Sequence, residues 1–333
     1  MRSLSTRYLG LELANPIVPG ASPLGDDLDQ VLLLEDAGAS AIVMRSVFEE
    51  QIALEQMAAH RHMDHHTGAE VSGVFVDTDV FALGLDGYLQ QLRRIRERTS
   101  LKVIASLNGV TPGGWTEYAR RLEAAGAHAL ELNLYSVPAD ARLSASDLEQ
   151  QQLATVREVT RTVTLPVAVK LSPYYSSLPH FVQGLEDAGA RGVVLFNRFY
   201  QADIDPIRLE AARTLHLSTP DELLLRLRWL AIVSPQTRLD LAATGGVHSA
   251  IDVVKAIMAG AHAVQVVSTL LKNGAKQLRV LAKGLQQFLD EEEYPSLQVM
   301  RGNMNHAHSP DPGAYERSDY IQLLSSWHGR PEA

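Results

Sequence analysis

The chain has 333 residues, 46% of them hydrophobic, and carries 30 Lys and Arg against 39 Asp and Glu for a formal charge of −9. That acid excess argues against a nucleic-acid or polyanion binder, although backbone N–H groups can still hold a phosphate locally. Cysteine is absent, which excludes disulfides, thiolate metal sites, iron–sulfur clusters held by this chain and any Cys nucleophile or base.

No basic-then-apolar leader opens the sequence, and no apolar run reaches the roughly 18 to 20 residues that span a bilayer. The expectation is a soluble, cytoplasmic protein with a small-molecule partner, no nucleic acid and no membrane. No Pro/Gly/Ser-rich linker or compositional break divides the chain, so residues 1–333 read as one domain.

Four copies of one short phrase set the organisation: Ala37-Gly38-Ala39, Ala125-Gly126-Ala127, Ala188-Gly189-Ala190 and Ala259-Gly260-Ala261, each followed by an apolar run. Gly supplies the left-handed conformation that stops a helix, and the run behind it suits a parallel strand covered on both faces. Further apolar runs lie between the copies at Pro16–Val18, Val103–Ala105, Pro166–Val169 and Leu239–Ala242. Eight strand-then-helix units result, an α/β chain of the (β/α)8 TIM-barrel class.

In chain order, Leu4 to Leu13 reads as a hairpin capping the barrel bottom, and Asn15 to Ser22 as the first strand and its exit. Strand two ends at Met44-Arg45-Ser46, and an insertion of about 47–85 follows, too long for an ordinary strand-to-helix connection. Strand three leads into Asn108, strand four into Asn133 and the loop Leu134 to Pro138, strand five into Lys170-Leu171-Ser172-Pro173. Strand six ends at Asn197-Arg198, and a second insertion of about 198–220 precedes the next helix. Strand seven ends in Thr244-Gly245-Gly246-Val247, strand eight in Ser268-Thr269. A C-terminal extension of about 290–333 contains an apolar periodicity at Tyr315–Leu324, a helical face for the barrel or for a second copy in a homo-oligomer.

In this architecture chemistry sits at the C-terminal strand ends. Arg45, Asn108, Asn133, Lys170 and Asn197 all fall there, and buried polar groups need partners. A shared ligand satisfies all five; the alternative is that each separately ties a loop to the barrel. Thr244-Gly245-Gly246-Val247 and the helix start at His248-Ser249-Ala250, with Ser268 and Thr269, make a phosphate site between the last two loops. The bland alternative is a tight turn. Lys170 interrupts an apolar strand and has three candidate roles: a Schiff base with a carbonyl substrate, a positive charge beside the N1–C2=O edge of a flavin, or a salt bridge to an acid such as Glu131.

With these residues assembled, the chain resembles the FMN-dependent dihydroorotate dehydrogenases, most closely their soluble dihydroorotate dehydrogenase-like branch, over roughly residues 4 to 290. The resemblance rests on Asn15-Pro16 through Ala21-Ser22, on Trp115 with Ala125-Gly126-Ala127 leading to Glu131-Leu132-Asn133, on Pro166 to Pro173, on Asn197 and on Thr244 to Val247. It implies FMN with Ala21 and Ser22 along the ring, Asn133 and Lys170 at its pyrimidine side, and Gly245, Gly246, Ser268 and Thr269 at the phosphate. Arg45 and Asn108 join this cofactor set, and Asn133 and Asn197 the substrate set. The implied chemistry takes a hydride from C6 of dihydroorotate to flavin N5 while a side-chain base removes a proton at C5, a step of pyrimidine biosynthesis.

The family base stands in the loop after strand four. Ser136 holds the third position after Asn133, but Val137 intervenes before Pro138 and Ala139 replaces the family Asn. A serine hydroxyl needs help to act as a base at neutral pH, and Tyr135, with a reference pKa near 10, is a rival. Arg45 stands where the family has Lys, and its planar fork suits a carboxylate. The stretch Asp77–Tyr88 lacks the asparagines with which the family grips orotate. Two readings therefore accompany the leading one: a flavin-holding homologue with another substrate or without orotate chemistry, and a Schiff-base aldolase-type barrel on Lys170. His60, His62, Asp64, His65 and His66 lack metal-site spacing and read as a solvated loop, as does the acidic helix end Asp290–Glu293.

Overall fold

The computed structural model describes residues 2–48, 84–108, 112–198, 202–212, 214–317 and 320–326. The His60–His66 cluster and most of the first insertion lie outside the described residues, as does the loop segment 77–83.

An antiparallel hairpin, β1 (Thr6–Tyr8) and β2 (Leu11–Leu13), precedes β3 (Ile17–Pro19). Helix α1 (Leu28–Asp36) leads to β4 (Ala41–Phe48), α2 (Leu85–Arg98) to β5 (Lys102–Asn108), and α3 (Pro112–Ala124) to β6 (Ala129–Asn133). Then come α4 (Ala145–Thr162), β7 (Val167–Leu171), α5 (Leu178–Asp187) and β8 (Gly192–Leu195). A small hairpin, β9 (Asp203–Asp205) with β10 (Glu210–Ala212), lies in the second insertion. The barrel is completed by α6 (Glu222–Val233), β11 (Asp240–Thr244), α7 (Ala250–Met258), β12 (Ala263–Val266), α8 (Ser268–Asn273) and α9 (Gln277–Glu291).

The eight-stranded parallel sheet runs β3-β12-β11-β8-β7-β6-β5-β4, and β3 packs against β4 to bring its two edges together. This is the expected (β/α)8 barrel with its N-terminal hairpin and an insertion element after the sixth barrel strand. Strand β4 runs two residues past the expected end at Ser46, because a register shift between Val43 and Ser46 lets Val47 and Phe48 pair again with Leu107 and Asn108. The expected helix around Tyr315–Leu324 is also corrected: a 3-10 turn at Pro312–Tyr315 comes first, and the helix is Tyr320–Ser325 with Tyr320, Ile321 and Leu324 exposed.

The repeated Ala-Gly-Ala phrase is a helix stop. Gly38, Gly126, Gly189 and Gly260 all have φ between 87° and 124°. In each case the next residue donates to a carbonyl five positions back: Ala39 to Leu34, Ala127 to Leu122, Ala190 to Leu185 and Ala261 to Ala256. This is the Schellman geometry. Two copies add a histidine at the strand entrance. His128 Nδ1 accepts from the Val103 N–H at 2.9 Å, and His262 Nδ1 from the Leu241 N–H at 3.1 Å. Burial leads the depression of both, to about 4 and about 3 respectively, so each imidazole is a neutral acceptor stitching adjacent strands.

Alternate residues on a strand share a face. Val18, Ala41, Val43, Ile104, Ala129, Ala168, Val194, Ala242 and Ala263 fill the barrel interior with Tyr8, Leu9 and Leu13 of the hairpin. Residues between them, such as Ile42, Val103, Leu130 and Val169, pack into the helix layer.

Candidate active site

Two residues beyond that apolar layer, the inward positions become polar. Ile104 is followed by Ser106, Ala129 by Glu131, Ala168 by Lys170, Ala242 by Thr244 and Ala263 by Gln265, and all five polar residues are buried. A further step gives Asn108, Asn133 and Ser172, again buried. The strand ladder sets Asn133 opposite Lys170 and Ser106 opposite Glu131. Of the expected strand-end residues, Asn108, Asn133 and Lys170 are thus brought together in the interior at one end of the barrel.

Lys170 Nζ donates to Glu131 Oε1 at 3.2 Å, with side chains 9% and 1% exposed. Gln265 Nε2 donates to the other Glu131 oxygen at 2.6 Å. The relay spans three strands, β7, β6 and β12. It leaves two buried acceptors, Asn133 Oδ1 and Gln265 Oε1, without a hydrogen-bond partner among the described residues. Leaving a buried acceptor unpaired costs about 1–3 kcal/mol, which a donor brought by a ligand would offset. A ring bearing an imide N–H and adjacent carbonyl oxygens fits an array of free acceptors beside one ammonium donor.

The exit of β3 contributes Ala21, half-buried, and Ser22, buried and without a side-chain cap bond. Beside it, Arg45 Nη2 meets Asp26 Oδ2 at 3.0 Å. The register shift in β4 accounts for this placement, since a bulge re-aims side chains next to it. Ser46 Oγ reaches Ser106 Oγ at 2.7 Å, and the Ser106 N–H donates to the Tyr88 hydroxyl on α2 at 3.2 Å. Burial raises the Asp26 carboxyl above its ordinary value while Arg45 pulls it down, and burial holds the Tyr88 phenol firmly protonated.

At the other side of the site, Gly245 and Gly246 have φ of 91° and 80°. A Cβ on Gly245 would meet the Arg226 guanidinium at 2.9 Å, and one on Gly246 would meet the Leu223 backbone. The pair therefore makes the tight turn that lets α6 close on the barrel. The start of the next helix is capped from within the chain. The His248 and Ser249 N–H groups donate to Asp252 Oδ2, and Ser249 with Asp252 forms a capping box. Ser249-x-x-Asp252 is that signature in the sequence, and it occupies the His248 and Ser249 N–H groups.

The turn nevertheless keeps polar groups around it. Gly246 N–H donates to Ser218 Oγ at 3.3 Å, and Ser218 N–H donates to Ser268 Oγ at 3.0 Å, with both serines buried. Arg226 is buried beneath the turn, donating to the Thr244 carbonyl at 2.9 Å, and burial lowers its pKa. Thr269 is fully buried, and Asn273 of its own helix donates to its carbonyl and hydroxyl oxygens. Asn197 is half-buried just past β8, its N–H bonded to the Leu171 carbonyl. Ser218, Arg226, Gln265 and Asp26 were not singled out from the sequence. Ser218 stands in Leu217-Ser218-Thr219-Pro220, ahead of a helix start, and Gln265 is a lone polar residue in an apolar strand; both signals were readable.

Ser136 is exposed, in the loop after β6, with no hydrogen-bond partner among the described residues. Tyr135 beside it is half-buried. The loop lines a cavity of about 610 Å³ between the β6 and β7 exits.

The family model for dihydroorotate dehydrogenase matches residues 3–289. The chain belongs to the dihydroorotate dehydrogenase family. A relative from Aeropyrum pernix, provisionally named dihydroorotate dehydrogenase A (fumarate), is 31% identical over 91% of this chain and 98% of its own. The catalytic subunit of dihydroorotate dehydrogenase B (NAD(+)) from Thermoplasma acidophilum is 28% identical over 91% and 99%. That of Methanothermobacter thermautotrophicus is 26% identical over 90% and 97%. Membership bears out the resemblance read from Asn133, Lys170 and the Gly245-Gly246 turn, and with it an oxidoreductase acting on a CH–CH group. Among the described residues no helix is long and apolar enough to cross a membrane, and no group of His, Asp and Glu could hold a metal ion.

Proposed function

We propose that this chain oxidises dihydroorotate to orotate with FMN as its cofactor. The observation that carries this reading is the polar interior layer: one ammonium, Lys170, held by Glu131 at 3.2 Å beside the unpartnered Asn133 Oδ1 and Gln265 Oε1. When bound, FMN supplies a two-electron acceptor for the hydride. Lys170 supports negative charge at the pyrimidine edge of the ring, and Asn133 accepts from an N–H. Ala21 and Ser22 line the ring, with Asn108 and Arg45 at its margin. The Gly245-Gly246 turn, Ser218 and Ser268 hold the phosphate end, over the buried charge of Arg226. Thr269 supports that end through its helix.

Asn133 and Asn197 hold the substrate amide edges. Ser136 takes the C5 proton, which needs the loop after β6 to bring its hydroxyl from the surface over the site and to exclude water. One observation favours a second reading, a flavin-binding homologue with another substrate: Ser136 is exposed and touches no base among the described residues. The aldolase reading is disfavoured, because a Schiff-base lysine must offer a lone pair and Lys170 Nζ donates to a carboxylate.

An anaerobic titration of the purified, FMN-loaded protein with dihydroorotate, followed in the visible spectrum, tests the proposal. Rapid bleaching that is lost in Ser136→Ala supports it. A flavin band that persists overturns dihydroorotate as substrate and leaves the cofactor assignment, whereas failure to retain FMN overturns both.

A further inference from the structure

A second cavity, of about 910 Å³, opens at the strand-entrance end of the barrel, opposite the candidate site. It is bounded by the β1–β2 hairpin, by the chain entering β8, β11 and β12, and by Arg301 of the C-terminal extension. Four guanidiniums line it. Two are answered by carboxylates on the same lining: Arg7 Nε lies 3.8 Å from Glu12 Oε1, and Arg238 Nε 2.6 Å from Glu186 Oε1. Arg191, which is exposed, and Arg301, which is half-buried, make no ion pair among the described residues. Arg301 Nη2 donates to Thr6 Oγ1 at 2.7 Å, yet its Nε is buried without a hydrogen-bond partner among the described residues. Burial lowers the Arg301 pKa, so this guanidinium lacks both water and a counter-ion in contact.

The remaining carboxylate on the lining, Asp240, offsets only one of these two charges. Its oxygens already face the Leu9 N–H at 2.7 Å and His262 Nε2 at 3.4 Å. Burial raises the Asp240 carboxyl above its ordinary range, while the Leu9 bond and the charges of Arg301, Arg7 and Arg191 pull it down. Three guanidiniums thus converge on one carboxylate, and the neighbouring His262 is neutral. The lining keeps an excess of positive charge. It carries no Phe, Tyr or Trp among its described residues, so a base or other flat ring finds no surface on which to stack. Recognition here rests on charge and hydrogen bonds, and the planar fork of Arg suits phosphate oxygens. We propose that this cavity is a phosphate-binding site, in which one anion is held between the guanidiniums of Arg191 and Arg301. The anion would tie the C-terminal extension to the start of β8, at the end of the barrel remote from the candidate active site.

Inorganic pyrophosphate is the probe, with binding to the full chain measured by calorimetry and by the rise in thermal unfolding temperature, with and without FMN. The expected result is saturable binding that raises the unfolding temperature and weakens by about tenfold or more in Arg191→Ala and in Arg301→Gln. Arg191 is exposed, so its variant keeps the fold even if Arg301→Gln loosens the Thr6 contact. Arg93→Ala, which removes one exposed charge from α2, should bind as the parent does. Absence of binding, affinity unchanged in both cavity variants, or an equal loss in Arg93→Ala overturns the proposal. Glycerol 3-phosphate identifies the source: tighter binding than pyrophosphate assigns a phosphate ester to the site, and weaker binding assigns the inorganic ion. The site shares no residue with the proposed FMN site, so failure to retain flavin would sink the cofactor reading and leave the pyrophosphate result intact.

Discussion

The two ends of the barrel interior differ in what their buried polar groups do. At the strand entrances the hairpin drives Tyr8, Leu9 and Leu13 into the bore; the Tyr8 hydroxyl and Arg301 Nε are buried there without a hydrogen-bond partner among the described residues, while other polar groups pair. Leu9 N–H donates to Asp240 Oδ2 at 2.7 Å, His262 Nε2 lies 3.4 Å from Asp240 Oδ1, and Arg301 donates to Thr6 Oγ1 at 2.7 Å. At the strand exits Glu131 and Lys170 are paired, yet Asn133 and Gln265 each keep a buried oxygen open. The entrance leaves one ring hydroxyl and one guanidinium nitrogen open, whereas the exit gathers two open acceptors beside an ammonium, an arrangement a single ligand can meet.

The largest expected contrast comes from the exit end. Lys170→Ala removes its cation, and substrate-driven flavin reduction falls by about 10²–10³-fold in stopped-flow kinetics while the fold persists, as removing one charge-stabilising donor does elsewhere. An unchanged rate would detach Lys170 from the chemistry. Gly246→Ala comes next. Its Cβ would press on the Leu223 backbone at a positive φ, so thermal unfolding should show a loss of about 1–3 kcal/mol, accompanied by weaker FMN retention.

At the entrance end the effect is on pH dependence. Burial pushes the His262 imidazole from its ordinary 6.5 down to about 3 in the fold. Between those values the unfolded chain binds more protons than the folded one, so stability is full above about 6.5 and falls as the pH drops toward 3. The slope is at most about 1.4 kcal/mol per pH unit. Urea unfolding of His262→Gln across that window should show a shallower fall than the parent protein; equal slopes would assign the acid sensitivity elsewhere. The smallest effect is expected from Ser249→Ala, which removes the α7 cap and costs about 1 kcal/mol in the same assay. Because Asp252 keeps its contact with the His248 N–H, FMN retention should not change, which sharpens the finding that this helix start is a structural device.

The barrel was legible because its signals are local. Ala-Gly-Ala stops act within one turn of helix, and two-sided burial of the strands writes continuous apolar runs into the chain. The interior polar layer was half legible. Lys170 and Asn133 stand out against apolar neighbours, and a salt bridge to an acid such as Glu131 is one of three roles the sequence allows Lys170. Gln265 interrupts its strand in the same manner but was passed over. The helix start after Gly245-Gly246 is ambiguous in sequence, since such an N-terminus serves an anion or an internal carboxylate, and Asp252, four residues past His248, supplies a carboxylate here.

By itself the sequence determined the repeat, the strand-and-helix order, the family and the inward or outward set of each strand, all of which follow from short-range periodicity. Only the tertiary structure decided the partners. The Glu131 carboxylate joins Lys170 39 residues later and Gln265 134 residues later, Ser218 meets a serine 50 residues away, and the β4 register shift turns Arg45 toward Asp26. Those pairings depend on closing eight strands with one register and one twist, a geometry set by the whole barrel that no local stretch of sequence specifies.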